Sequence, residues 1–126
     1  MTIDSSREQA VKALRAKAKI IRDLEAEAKR KLQEEQNQEA YSQLLREKAR
    51  TIHSLLYEVQ DALEGLPEKE QDQLESALEN MGIRASQALE VDSPFFMSML
   101  LYPDDYTEGE ENELEKMISS FHPENS

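Results

Sequence analysis

The sequence of 126 residues contains no cysteine and no tryptophan, only three glycines and four prolines. Without cysteine the chain can form no disulfide, no thiolate metal site and no cysteine nucleophile, and this composition fits a reducing compartment. β-Branched residues are few and scattered, which disfavours β-sheet. Ala, Leu, Glu, Gln, Lys and Arg dominate instead, and these residues favour helices. We therefore expect an all-α fold in one domain that spans residues 1–126.

Long hydrophobic runs are missing as well. The longest, Phe95 to Tyr102, is far shorter than the roughly 20 residues that span a bilayer. Residues 1–8 lack the charged-then-apolar layout of a signal peptide. We expect a cytoplasmic protein without a membrane partner. Hydrophobic residues make up 38% of the chain, so the core is thin for this length. A thin core favours an elongated helical bundle, or a protomer that completes its core by self-association, as in a homodimer.

Charge is divided unevenly along the chain. Residues 1–50 carry 12 Lys/Arg and 9 Asp/Glu, whereas residues 51–126 carry 3 Lys/Arg and 18 Asp/Glu, and the total is −12. Arg15, Arg22 and Lys29 lie on one flank of the apolar stripe of the first helix, where they can pair with acidic helices of the same chain or of another protein. The excess of acid in the second part would attract a basic partner. It opposes phosphate binding, and no nucleic-acid recognition motif is present, so we expect no nucleic-acid partner.

Two apolar stripes at helical spacing predict a long antiparallel helical hairpin over about residues 6–64. The first helix covers about residues 6–35 and the second about residues 38–64. The segment between them contains neither Gly nor Pro, and Asn37 is the residue best suited to a hinge or helix cap. We expect a break near residues 35–39, although the two stripes are nearly in phase and one continuous helix is the alternative.

Three shorter helices are predicted to cover the hairpin, over about residues 67–81, 94–102 and 108–121. Gly65 is expected to end the second long helix, and Gly82 is expected to end the helix that follows it. Ser93 followed by Pro94 has the pattern of a helix N-terminus.

Two further pairs of residues have the spacing of a capping box, in which a Ser or Thr and a Glu three residues later bond to each other's backbone. Ser5 and Glu8 predict the start of the first helix, and Thr107 and Glu110 predict the start of the last one.

The most apolar segment, residues 95–102, contains the candidate partner-binding residues. Aromatic residues and Met are enriched in the cores of protein interfaces. The alternative is a short core helix between the longer ones, since a helix that is apolar on all faces is normally buried. The candidates are Phe95, Phe96, Met99, Leu100 and Tyr102.

The sequence identifies no catalytic, cofactor-binding or metal-binding residue. His53 and His122 have no second ligand at helical spacing, and both are interpreted as structural. No glycine-rich phosphate loop and no nucleophile elbow is present. We expect no cofactor.

One carboxylate pattern resembles part of a known metal site. Glu58 and Asp61 match the Glu-x-x-Asp half of the Mg²⁺-binding pattern of MazG-type all-α nucleotide pyrophosphohydrolases. Glu35 and Glu39 are four residues apart and out of register with its first half, so the resemblance does not establish the family. A Mg²⁺-dependent hydrolase using these four carboxylates is the alternative function. The favoured interpretation is a non-enzymatic helical protein-interaction module: an adaptor, a regulator or a small chaperone-like subunit.

Overall fold

The regular secondary structure of the described residues is α-helical. The computed structural model describes residues 3–121, and it contains no strand within that range, so the all-α prediction is confirmed. Within the same range, no helix is long and apolar enough to cross a membrane. The helices are α1 (Ile3–Gln33), α2 (Gln38–His53), α3 (Leu55–Leu63), α4 (Glu68–Glu90), α5 (Pro94–Met99) and α6 (Glu113–Phe121).

The chain turns between α1 and α2, where the break was predicted. Gln36 has a left-handed backbone with φ of 51°. Asn37 then caps α2, since its Oδ1 accepts a hydrogen bond from the Ala40 N–H at 3.0 Å. Both α2 and α3 pack against α1. A single continuous helix through this region is therefore excluded, and Asn37 has the capping role expected of it.

The helix predicted over residues 38–64 is two helices, because the backbone departs from helical geometry at Ser54. Its ψ angle is 2°, and its Oγ donates to the Thr51 carbonyl at 3.2 Å. A serine hydroxyl that bonds to a carbonyl of the preceding turn competes with the helical hydrogen bonds. The apolar stripe continues through Leu55 and Val59, which are buried, so hydrophobic spacing alone gave no sign of the interruption.

The prediction that a helix ends at Gly82 is wrong. Gly82 is a buried residue inside α4, which continues to Glu90. A Cβ atom added at Gly82 would lie 3.2 Å from the His53 carbonyl oxygen. The glycine therefore allows the end of α2 to approach α4 closely, and it does not stop the helix.

The helix predicted over residues 94–102 ends early, at Met99. It begins as expected, because the Ser93 Oγ accepts a hydrogen bond from the Phe96 N–H at 3.1 Å. Leu100 then leaves helical geometry with ψ of 133°, and Leu101 has φ of 75°. These two residues turn the chain inward.

The last helix begins at Glu113 and not near residue 108, and its capping box is a different pair. The Asn112 Oδ1 accepts from the Glu115 N–H, and a Glu115 carboxylate oxygen accepts from the Asn112 N–H, both at 2.9 Å. Asn caps a helix as well as Ser or Thr does. The prediction placed the start of the helix at Thr107 and Glu110 because that pair also has the spacing of a capping box. The pair predicted to start α1 is also misplaced, since α1 already includes Ile3, ahead of Ser5.

α2 and α3 pack against both α1 and α4, and the core lies along the sides of these four helices that face one another. α5 packs against α2 and α4, and α6 packs against α1. Two side chains of α6 enter the core, so the C-terminal segment closes it. The buried apolar residues with larger side chains are Val11, Leu14, Ile21, Leu45, Ile52, Leu55, Val59, Leu63, Leu66, Leu74, Leu78, Met81, Met97, Leu100, Leu101, Leu114 and Ile118.

Candidate functional site

The segment predicted to bind a partner is divided between core and solvent. Phe95, Phe96 and Met99 are 66%, 54% and 40% exposed, whereas Met97 and Leu100 are buried. The two phenylalanine ring centroids are 5.8 Å apart. Residues three and four apart on a helix are neighbours, so Met99 lies beside both phenylalanines. We call these three exposed side chains the α5 face.

The other two predicted residues do not belong to this face. Leu100 is buried, and the Tyr102 hydroxyl hydrogen-bonds to Arg22 and Glu25 of α1. The prediction treated residues 95–102 as one continuous helix. The inward turn after Met99 separates Leu100 and Tyr102 from the α5 face. The binding role of the five residues stays a prediction.

Lys48 of α2 lies in the core, where its side chain is 1% exposed. Its Nζ is 2.8 Å from the Glu25 Oε2, donates to the Ser98 carbonyl at 3.2 Å and lies 5.0 Å from the Tyr102 ring centroid. The Glu25 Oε1 accepts a hydrogen bond from the Tyr102 hydroxyl. Its Oε2 is buried and is the oxygen that faces the Lys48 ammonium, so the two side chains form a buried ion pair. The ammonium is therefore compensated by one carboxylate, one carbonyl and one aromatic ring.

Sequence reasoning missed this residue, although a signal was present. Lys48 follows Leu45 by three residues and precedes Ile52 by four, so it occupies a position in the apolar stripe of α2. Lys is almost never fully buried unless it is paired. A lysine at a core position thus signals a buried partner, which here comes from α1.

Burial shifts the pKa values of Lys48 and Tyr102 in opposite directions, and both shifts favour the neutral form of the side chain. It lowers the pKa of the Lys48 ammonium, and the Glu25 carboxylate opposes that change. Burial also raises the pKa of the Tyr102 hydroxyl, and the hydrogen bond to Glu25 raises it further. Tyr102 therefore remains protonated near neutral pH and keeps donating to Glu25.

Arg22 connects this cluster to the last helix. Its guanidinium donates to both carboxylate oxygens of Glu115, with Nε–Oε2 and Nη2–Oε1 distances of 3.0 and 2.7 Å. Its Nη1 donates to the Tyr102 hydroxyl at 3.0 Å. The hydrogen bonds from Arg22 hold the pKa of the Glu115 carboxyl below its usual value. Arg22, one of the basic residues beside the apolar stripe of α1, is thus paired with an acidic helix of the same chain. Pairing within the chain was one of the two options predicted for these residues.

A cavity of about 670 Å³ opens beside this cluster, between α1, α2 and the loop after α5. Ligand sites commonly have volumes of about 300–1,000 Å³. Its wall contains three cations and three anions, so charge favours neither an anionic nor a cationic ligand. Those residues are Arg22, Lys29, Lys48, Asp23, Glu25 and Glu108. Its innermost polar groups already bind one another.

A second groove, of about 430 Å³, lies between α3 and α4. Tyr57 and Ile83 stand at it with exposed fractions of 84% and 48%. Leu56 and Leu78 also line it. Its polar residues are His53, Gln60, Glu79, Ser86 and Gln87.

The four carboxylates of the alternative metal site are not brought together. Glu35 lies in the turn after α1 and is paired with Arg30 and Lys31, at 2.8 and 3.2 Å. Glu39 is in the first turn of α2, a helix roughly 24 Å long, whereas Glu58 and Asp61 lie on α3 beyond its far end. Across the described part of the chain, no group of three or more His, Asp and Glu side chains is placed to hold a metal ion.

The histidines give little further information about chemistry. His53 is exposed, and its Nδ1 lies 3.3 Å from the Gly82 carbonyl oxygen. His122 lies outside the described residues, so its structural interpretation stays a prediction.

Comparison with known proteins gives no relative for this chain: no family model matches it, and neither a curated protein nor a solved structure is similar to it. The function must therefore be argued from the surfaces and contacts described above.

Proposed function

We propose that this chain is a non-enzymatic protein-interaction module, acting as an adaptor, a regulator or a small chaperone-like subunit, and that it docks through the α5 face. The observation that carries the proposal is the joint exposure of Phe95, Phe96 and Met99 on one short helix. Single exposed apolar residues are ordinary on protein surfaces, whereas a cluster of large ones is typical of an interaction site.

The α5 face is held in a fixed orientation, which supports a docking role. The Ser93 cap fixes the start of α5, and the buried Met97 side chain anchors it from beneath. Full burial of a large apolar side chain is worth about 1.5–3 kcal/mol, and these side chains are about half exposed, so a partner that covered the face would gain roughly 1 kcal/mol for each of them. Little of this gain would be spent on ordering the helix, because α5 is already ordered.

The chain on either side of α5 is acidic, which favours a partner with a basic rim. Glu90 precedes α5 in the chain, Asp104 and Asp105 follow it, and all three are exposed. A two-fold contact between two copies would bring the same carboxylates together, which is unfavourable. Self-association, expected from the thin core, is the alternative occupant of this face.

Paired substitutions test the proposal. We expect Phe96→Asp to abolish capture of a partner from an extract of the native host, while Ile20→Asp leaves capture intact. Ile20 is a suitable control because it is 44% exposed and lies on α1. Circular dichroism must show unchanged helicity in both variants. If both variants capture the same proteins as the unmodified chain, the α5 face is not the docking site.

Light scattering over a range of protein concentrations separates the two occupants. A monomer at all concentrations, combined with Phe96-dependent capture, supports a partner of a different sequence. A dimer that Phe96→Asp dissociates would mean that the face binds a second copy.

A further inference from the structure

The groove between α3 and α4 is a second apolar surface, separate from the α5 face. Tyr57 is 84% exposed and Ile83 is 48% exposed, and two less exposed leucines, Leu56 and Leu78, line the same groove. Tyrosine is enriched at interfaces because it combines a large apolar ring with a polar tip. Among the large apolar side chains that are exposed in residues 5–121, Tyr57 and Ile83 line this groove and the others do not.

The walls of the groove carry charge of one sign. α3 contains acidic residues and no Lys or Arg, and its exposed Asp61 follows Tyr57 by four residues, so the two are neighbours on the helix. Glu79 of α4 lines the groove from the other side, and neither Lys nor Arg is among the residues known to line it. Arg84, a nearby cation in the chain, is paired with Glu113 at 2.7 Å. The groove is therefore complementary to a basic partner.

The backbone around the groove limits the form of that partner. Both walls are α-helices, whose N–H and C=O groups already bond to each other, so the groove offers no open edge to which a strand could be added. A partner that satisfies its own backbone, as a helix does, suits such a groove. Along the end of α2 and α3 the groove runs from His53 to Gln60, which is roughly 10 Å at 1.5 Å per residue. About two turns of a helix fit this length.

We propose that the α3–α4 groove binds a basic amphipathic helix of a partner protein. Its apolar side would lie on Leu56, Tyr57 and Ile83, and its Lys or Arg residues would face Glu79 and, beside Tyr57, Asp61. This proposal does not depend on the α5 face, so either one can fail alone.

The test uses a synthetic peptide of about 14 residues made of Leu and Lys, labelled for fluorescence anisotropy, with Leu at the i, i+3, i+4 and i+7 positions. A scrambled peptide of the same composition has no apolar side when helical. We expect the amphipathic peptide to bind at physiological salt and the scrambled one to bind at least tenfold more weakly. This comparison matters because a chain of net charge −12 attracts any basic peptide to some degree.

Substitutions that leave charge unchanged locate the binding site. We expect Ile83→Ser to weaken binding by roughly tenfold, the size of effect typical of an anchor residue. Ile20→Ser should change it less than twofold, since Ile20 has a similar exposed fraction of 44% but lies on α1. For the charges, Glu79→Gln should weaken binding and Glu90→Gln should not, and the first variant should also reduce the dependence on salt.

Three results would overturn the proposal. Equal binding of the scrambled peptide would show attraction by net charge alone. An equal effect of Ile83→Ser and Ile20→Ser would show that the peptide does not bind in the groove. Loss of binding in Phe96→Asp, with Ile83→Ser unaffected, would place the peptide on the α5 face. Should Ile83→Ser fail to fold, Tyr57→Ser replaces it, because a side chain that is 84% exposed contributes little to the core.

Discussion

The buried ion pair between Lys48 and Glu25 gives the most specific prediction about stability. Replacing Glu25 with Leu leaves the Lys48 ammonium in a core position, 1% exposed, with the Ser98 carbonyl as its remaining hydrogen-bond acceptor. Removing one partner of a buried ion pair typically costs about 3–5 kcal/mol, because the other charge is left uncompensated. We expect Glu25→Leu to lower the free energy of unfolding by about that amount.

Replacing Lys48 with Met should cost less. Glu25 would retain the hydrogen bond from the Tyr102 hydroxyl and the Arg22 guanidinium, whose Nη1 is 3.9 Å away. The Glu25 side chain is also 17% exposed, so water can solvate part of its charge. We expect a loss of about 1–3 kcal/mol, smaller than that of Glu25→Leu.

The stability of the double variant, Glu25→Leu with Lys48→Met, decides whether the two residues are energetically coupled. Apolar replacement of both members of a buried ion pair is often neutral or stabilising. We therefore expect the double variant to be more stable than Glu25→Leu alone, which requires a coupling free energy larger than the Lys48→Met loss, about 3 kcal/mol between the two sites. Urea unfolding followed by far-ultraviolet circular dichroism measures each free energy. If the double variant loses the sum of the two single losses, the ion pair is not coupled and the reasoning fails.

Two other contacts give predictions of their own. Asn112→Ala removes the cap from the Glu115 N–H and should cost about 1 kcal/mol, whereas Asn112→Ser should restore most of it; equal urea-unfolding midpoints for the two variants would contradict this role. The pKa of Glu115 is lowered in the fold from its ordinary 4.5, first because of the Arg22 hydrogen bonds. The stability contributed by Glu115 is therefore complete above pH 4.5 and is lost as the pH falls through the folded-state pKa. Between pH 6 and 3, the free energy of unfolding should decline less steeply in Glu115→Gln than in the unmodified chain. A parallel decline in the two proteins would refute the assignment.

The helical class and the first turn were predictable because they depend on local signals. Helix-favouring composition and apolar stripes are properties of short windows, and Asn37 caps a helix through its own side chain. The position of Gly82 inside a helix could not be predicted from local signals. A glycine near the end of an apolar stripe predicts a helix stop, and only the approach of His53, 29 residues earlier in the chain, explains why this one lies inside a helix.

The candidate surfaces were predictable in part for the same reason. The sequence identified the α5 segment by its composition, but the turn at Leu101, with φ of 75°, decides which side chains face solvent. The groove at Tyr57 and Ile83 was not predicted, because it exists only once α3 and α4 lie side by side. Its apolar residues appear in the sequence as ordinary members of two separate stripes.

The polar contacts of the C-terminal segment also have a consequence for the order in which the chain assembles. Arg22 and Glu115 are 93 residues apart in sequence, and Tyr102 and Glu25 are 77 apart. Closing such long loops is entropically costly and comes late in folding, whereas neighbouring helices such as α1 and α2 can pair early. Until the residues after Ser93 dock, Lys48 can remain hydrated. The arrival of this segment strips water from an ammonium group, and we expect that step to limit the rate at which the native state forms.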